Sequence, residues 1–283
     1  RLSIKLNRNM DPNNIKNIEI DLFLEALLLR HGYDFKNYAR ASIKRRIIKL
    51  LNDTEHQKIS EMIPDLLYHE SFFQKCIYNF SITVTEMFRN PSFHKSVRKN
   101  IIPYLKTFPF IKIWHAGCAS GEEVYSFAIL LKEEGLLDRS TIYATDFNDL
   151  AIEEARKGIY SLKDFKLYIE NYKKAGGKRS LSDYCHCQYD SVIIDKPIKE
   201  SVTFANHNLV TDQVFGEMNL IVCRNVLIYF DQILQKRALD LFSQSLRPNG
   251  FLALGDKESL RFSGIEDDYK KIDEKWKIYQ KTT

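Results

Sequence analysis

Residues 111–131 read Ile-Lys-Ile-Trp-His-Ala-Gly-Cys-Ala-Ser-Gly-Glu-Glu-Val-Tyr-Ser-Phe-Ala-Ile-Leu-Leu. A short β-prone run, 111–116, enters a small-residue loop, 117–121, and a helix starts at once. Val124, Phe127, Ala128 and Leu131 form its inward face, and Gly135 marks its stop. Downstream, 141–145 reads as a second strand ending in Asp146, with a helix to Gly158. Residues 218–223 are a nearly continuous apolar strand. A long helix from about 231 to 246 follows, then the turn Pro248-Asn249-Gly250 and a strand over 251–254. Strand and helix in alternation predict an α/β fold, a parallel sheet covered on both faces.

Upstream the pattern is helical. Ile20, Phe23, Leu24, Leu27 and Leu28 repeat at helical spacing before Gly32, and Ile43, Ile47, Leu50 and Leu51 share one face of a second helix. Across 36–49 stand Lys36, Arg40, Lys44, Arg45, Arg46 and Lys49, with no acid between them. Signs normally alternate on a merely solvated face, so docking to an acidic surface through Arg45, Arg46 and Lys49 competes with simple solvation. Asn90-Pro91 reads as N-cap and first residue of a further helix. Residues 163–201 break the later rhythm with a polar stretch and two β-like runs, and predict a small antiparallel insertion. The expected organisation is a patternless tail over 1–9, a helical domain over 10–90, and the α/β domain over 91–283 carrying that insertion.

Length and composition allow this. The 283 residues are 44% apolar and 28% charged, an ordinary globular balance with room for two modest domains. No apolar run reaches the roughly 18 residues of a membrane-spanning helix, and no secretory start is visible, so a cytoplasmic protein is expected. The net charge of +5 is too mild to choose a partner. The cysteines, Cys76, Cys118, Cys185, Cys187 and Cys223, are odd in number and scattered, which favours reduced thiols. Cys185-His186-Cys187 lacks a second ligand pair at zinc spacing. Alternation along a strand explains it as well, and no metal is expected.

Ligands of a doubly wound sheet bind beyond the carboxyl ends of its strands. There Gly117 and Gly121 would let the backbone approach a ligand, and Asp146 could accept both hydroxyls of a ribose. The loop is not the Gly-x-Gly-x-x-Gly of a dinucleotide site, and no phosphate-binding Gly-Lys-Ser/Thr occurs. Glu122 and Glu123 open the helix where a phosphate would otherwise sit. A cationic nucleoside without phosphate, S-adenosylmethionine, fits that pattern. A generic α/β enzyme that uses Glu to complement the helix dipole fits it too.

Thr85-Glu86-Met87-Phe88-Arg89, the run 114–126 (WHAGCASGEEVYS), Ala144-Thr145-Asp146 and the run 223–231 (CRNVLIYFD) resemble the chemotaxis receptor methyltransferases of the CheR kind, in order, over about 20–280. Met87 stands where that family usually has Phe, Val124 where it has Pro, and Asp256-Lys257 where it has His-Ser before Glu258. The resemblance implies a helical N-terminal domain, a Rossmann-like class I methyltransferase domain and an inserted β-subdomain, which some members use to tether to a receptor tail. It implies methyl transfer from S-adenosylmethionine to glutamate side chains of chemoreceptors. The family's cofactor contacts would fall on Thr83, Thr85, Arg89, Glu123, Asp146, Asn208, Leu209, Arg224 and Asn225, and its active-site tyrosine on Tyr229.

That chemistry suits these residue types. A glutamate acceptor is ionised at pH 7, so no general base is required. Arg89 can grip a carboxylate, of cofactor or of substrate, and Tyr229 can orient the acceptor oxygen. Bland readings stand beside each assignment: Asp146 as a helix cap, Glu123 as a first-turn acid, Tyr229 as core filling between Ile228 and Phe230, Asn208 as a turn residue. A nucleic-acid methyltransferase would use the basic helix for phosphates, although the Asn/Asp-Pro-Pro-Tyr/Phe pocket of base methylation is replaced by Arg224-Asn225-Val226. A catalytically idle cofactor-binding module is the third reading. Nothing demands more than a monomer.

Overall fold

A computed structural model describes residues 11–81, 85–214 and 216–282. The tail 1–9 and Thr83 lie outside the described residues. The chain divides into two compact units, Arg1–Ser81 and Ile82–Thr283. The division falls before the expected boundary at residue 90, because the stretch 85–90 is held by the second unit. The Phe88 N–H donates to Ser126 Oγ at 2.8 Å, and Met87 O accepts from Asn171 Nδ2 at 3.2 Å.

The first unit is helical. Helix Pro12–His31 is capped by Asp11, whose side chain accepts from Asn13 N, and closes at Gly32. It buries Ile20, Phe23, Leu24 and Leu27, while helix Arg40–Asn52 buries Ile43, Ile47 and Leu50. The acids missing between residues 36 and 49 stand on the other helix. Arg40 reaches Asp21 at 2.5 Å, and Lys36 pairs with Glu25. Arg46 is half-buried and donates to Asn79 O and Ser81 O, where it satisfies the carbonyl end of helix Glu70–Phe80. Arg45 and Lys49, four residues apart, remain exposed on one face. The uncompensated run is therefore smaller than the sequence suggests.

The second unit contains strands β1 (Ile111–Ala116), β2 (Ser140–Asp146), β3 (Ile159–Ser161), β4 (Cys185–Gln188), β5 (Ser191–Ile194), β6 (Val202–Asn206), β7 (Met218–Cys223), β8 (Leu246–Leu254), β9 (Tyr269–Asp273) and β10 (Ile278–Lys281). Among the described residues, seven form one sheet in the order β6-β2-β1-β7-β8-β10-β9. The first five run parallel, and β10 is antiparallel to β8 and β9. Every residue of β7 is buried, as its apolar run predicts for a strand covered on both faces. Trp114 on β1 is fully buried, with its indole N–H donating to Thr145 Oγ1 at 2.9 Å. Strands β6, β9 and β10 were not expected from the sequence. The expected turn at 248–250 lies inside β8, where pairing to β7 jumps from Leu246 to Phe251.

The insertion begins earlier than residue 163. Its sheet, β3-β5-β4, takes its first strand from Ile159–Ser161, and helix Leu162–Lys174 fills the stretch that broke the rhythm. Cys185 is buried and Cys187 exposed although the two share a face of β4, which runs out into solvent after its first residue, and no group of three or more His, Cys, Asp or Glu able to hold a metal occurs among the described residues. Three donors of the insertion converge on one carboxylate. Glu133, at the end of helix Glu122–Glu133, accepts from Tyr172 OH at 2.5 Å, Lys178 N at 2.8 Å and Tyr184 OH at 3.2 Å, and pairs with Arg98. No helix among the described residues is long and apolar enough to cross a membrane.

Candidate active site

Register brings the carboxyl ends of the parallel strands to one edge. His115 of β1 stands opposite Ala144 and Val222, Asp146 opposite Asn206, and Cys223 opposite Leu254. The segments leaving these ends hold Glu123, Asp146, Asn208, Leu209, Arg224, Asn225 and Tyr229, whereas Thr85 and Arg89 lie on the stretch that Phe88 and Met87 tie to Ser126 and Asn171.

The β1 loop folds onto β2. The N–H groups of Gly117 and Cys118 both donate to Thr145 O, at 2.8 and 2.9 Å. Ala119 N donates to Asp146 Oδ2 at 2.9 Å, and Asn148 N to Asp146 Oδ1 at 3.0 Å. Asn148, not Asp146, caps the next helix through Leu150 N and Ala151 N. Asp146 is thus a buried strand-end carboxylate that fixes two loops. Burial raises its pKa despite those N–H groups. The loop glycines face protein rather than open space. A Cβ on Gly117, at φ 76°, would lie 2.4 Å from Val226 Cγ2, and one on Gly121 would lie 3.0 Å from Ala155 Cβ.

Arg224 closes the site from β7. Its guanidinium pairs with Glu123, donates to Asn90 Oδ1 at 2.8 Å and lies 3.9 Å from the Phe93 ring centroid. The Arg224 side chain is 1% exposed and that of Glu123 18%. Two corrections follow. Asn90 leads helix Pro91–Asn100 but makes no side-chain cap, because its amide oxygen serves Arg224. The two acids that open helix Glu122–Glu133 also do not present a doubled negative charge. Glu123 is neutralised by Arg224, and Glu122 is buried against Ser120 Oγ at 2.7 Å.

Arg89 sits half-buried between two non-glycine residues in left-handed conformation, Phe88 at φ 54° and Asn90 at φ 53°. For a residue as bulky as Phe this is a true outlier, held here by the bond to Ser126, and strain of this kind concentrates at functional sites. Thr85 is half-buried at the head of the stretch. Asn208 forms an Asx turn, its Oδ1 accepting from Val210 N at 2.9 Å, and Leu209 is buried. Leu227 and Phe230 point into the core, whereas Tyr229 is half-exposed between them and is not core filling. Asn225 has φ 61°. Asp256 and Lys257 are exposed, so the departure there leaves the buried Glu258 in place.

Glu122 gives a pH-dependent prediction. It lines a cavity of about 400 Å³ with Glu154, Lys157, Tyr160 and Asp164. Burial, aided by the charges of Glu154 and Asp164, pushes its pKa up to about 7. The unfolded chain releases this proton near pH ~4.3, so between there and 7 the folded state binds more protons and stability falls as pH rises. Glu122→Gln should flatten the melting temperature between about pH 5 and 8 and equal or exceed the wild type at the upper end. An unchanged pH profile in the variant would refute the assignment.

A mostly parallel sheet in this order, a glycine-bounded loop after β1 and a buried acid at the end of β2 are the Rossmann-like arrangement of a class I methyltransferase fold. The sequence profile described as CheR methyltransferase, SAM binding domain, matches residues 83–278. The chain belongs to the CheR methyltransferase family. It is 46% identical over 265 residues to the putative methyltransferase Cher3 of Pseudomonas putida, covering 94% of this chain and 97% of that one. It is 30% identical over 256 residues to chemotaxis protein methyltransferase 2 of Vibrio cholerae, covering 86% of each. A distant structural likeness is to a putative S-adenosyl-L-methionine-dependent methyltransferase of Methanococcus maripaludis, at TM-score 0.39 and 13% identity, over 68% of this chain and 86% of that one.

Proposed function

We propose that this chain transfers the methyl group of S-adenosylmethionine to glutamate side chains of bacterial chemoreceptors, forming glutamyl methyl esters. The observation that carries the reading is the meeting of Glu123, Asp146, Asn208, Leu209 and Asn225–Tyr229 at one sheet edge, in a member of this family. The donor set fits the cofactor. Asp146 keeps lone pairs for ribose hydroxyls, the partly exposed Glu123 is an acceptor for an ammonium group, and Asn208-Leu209 offer an edge and an apolar surface to a base. Arg224 acts on the cofactor through Glu123, whose carboxylate it orients. Arg89 is the candidate grip for a carboxylate. The bound cofactor supplies an electrophilic methyl on a positive sulfur.

The protein's remaining work is alignment and exclusion of water, since a carboxylate and a sulfonium lose their charges together. No proton has to be removed from a glutamate acceptor at neutral pH. Consistent with that, His94 and His115 are buried and neutral. Burial and the charge of Arg224 lower both, His115 to about 3, so neither is poised as a base. Tyr229 is assigned to orient the acceptor oxygen.

The test is incubation with methyl-labelled S-adenosylmethionine and receptor-bearing membranes, followed by mild base. Label released as volatile methanol is the expected result; label stable to base, or removed by nuclease, overturns the reading. The paired substitution Arg45→Glu with Lys49→Glu should raise the KM for receptor several-fold at low salt and less at high salt, as screening predicts, with kcat unchanged. A KM equal to that of the wild type would remove this face from docking.

A further inference from the structure

We propose that Glu258 and Gln235 are positioning residues that grip the segment 225–230 from both sides and so set the orientation of Tyr229. This deepens the methyl-transfer reading and rests on it. Four backbone N–H groups converge on one carboxylate. Glu258 Oε1 accepts from Val226 N at 2.9 Å and Leu227 N at 2.8 Å, and Oε2 from Gly255 N at 2.5 Å and Asn225 N at 3.2 Å. A carboxylate offers about four acceptor sites, and all are taken. The group is 4% exposed.

On the opposite side the carbonyls are taken. Gln235 Nε2 donates to Leu227 O and Phe230 O, both at 3.1 Å. Between these grips the turn is closed by its own bonds, Tyr229 N to Val226 O at 3.1 Å and Phe230 N to Leu227 O at 3.0 Å. The peptide unit that meets Glu258 is therefore one hydrogen bond from the backbone of Tyr229. The fit tolerates no side chain at Gly255, where a Cβ would lie 2.7 Å from Glu258 Oε2 and 2.9 Å from Asn225 N.

A buried carboxylate that only stabilised the fold would not care what stands at position 229. A clamp that works through Tyr229 would. The experiment uses Glu258→Gln, which turns an amide N–H against backbone N–H groups, and Gln235→Ala, at a half-exposed helix position. Each is made alone and with Tyr229→Phe. The readouts are the initial rate of base-labile methylation, the melting temperature, the Kd for S-adenosylhomocysteine and deuterium exchange of the peptide spanning 225–230. With Tyr229 present, each lesion should lower kcat about ten- to a hundredfold, a loss typical of sub-ångström misplacement, with a smaller change in Kd. In the Tyr229→Phe background the same lesion should cost less than about threefold, since the two residues act in series.

An equal loss in both backgrounds overturns the proposal. If Glu258→Gln does not fold, Gln235→Ala decides alone. If the wild type forms no ester, the methyl-transfer reading fails, and exchange decides the clamp. Faster exchange over 225–230 with the rest of the chain unchanged upholds it, and unchanged exchange ends it.

Discussion

Asp146→Ala should weaken binding of S-adenosylhomocysteine about a hundredfold or more by calorimetry, while the melting temperature falls little. The first effect comes from two ribose hydroxyls losing a charged acceptor, each such bond contributing about 1.5–3 kcal/mol, with about 1.4 kcal/mol for each tenfold in Kd. The second comes from the buried state of the group. Burial raises the Asp146 pKa, so keeping it ionised at neutral pH costs folding free energy that the variant regains. That gain offsets the two N–H groups, of Ala119 and Asn148, left without their acceptor. Asp146→Asn is not a rescue, because its amide would turn donors toward one of those same N–H groups. Affinity within about threefold of the wild type would remove Asp146 from the cofactor site.

Arg224→Ala should be the most destabilising single change in the site. It leaves Glu123 without its partner, Asn90 without its donor and a void over the Phe93 ring. Removing one member of a buried pair costs about 3–5 kcal/mol, which for a domain of this size is on the order of ten degrees in melting temperature. Arg224→Lys keeps the charge but not the fork that reaches Glu123 and Asn90 together, so it should recover only part. Arg224→Met combined with Glu123→Gln removes both charges. It should regain most of the stability and none of the cofactor binding, which separates the structural role of the pair from its role in the site. A melting temperature for Arg224→Ala within about two degrees of the wild type would refute the argument.

The parallel half of the sheet was legible because its strands are apolar runs with glycine-marked turns: 111–116, 141–145 and 218–223 all emerge as strands. β9 reads Tyr-Lys-Lys-Ile-Asp and β6 Val-Thr-Phe-Ala-Asn, too short and too polar to stand out from loop. Helix Leu162–Lys174 was hidden by four lysines on its exposed side. At the site, Asp146, Asn208, Leu209, Arg224, Asn225 and Tyr229 lie at or just beyond the carboxyl ends of the strands, but their partners were not readable. Asn90 beside Pro91 has the spelling of a helix cap. Only the fold reveals that its left-handed backbone turns the amide toward Arg224, 134 positions away in sequence. Glu258 was visible as a residue, but its four N–H donors come from two separate loops. Charge counting along 36–49 overstated the run because acids balancing Lys36 and Arg40 stand on another helix.

The convergence of the insertion on Glu133 has a bearing on how such proteins can be recombined. Three of its bonds come from the insertion, through Tyr172, Lys178 and Tyr184, and its own side chain is 1% exposed. Cutting the insertion out would strip those three donors from Glu133, leave it paired with Arg98, and uncover the apolar residues that Tyr172 and Tyr184 pack against. The insertion is therefore not a cassette that can be exchanged at its two ends. A graft from a relative has to bring its own tyrosines and backbone amide to this point, or the host helix has to lose its glutamate in the same step.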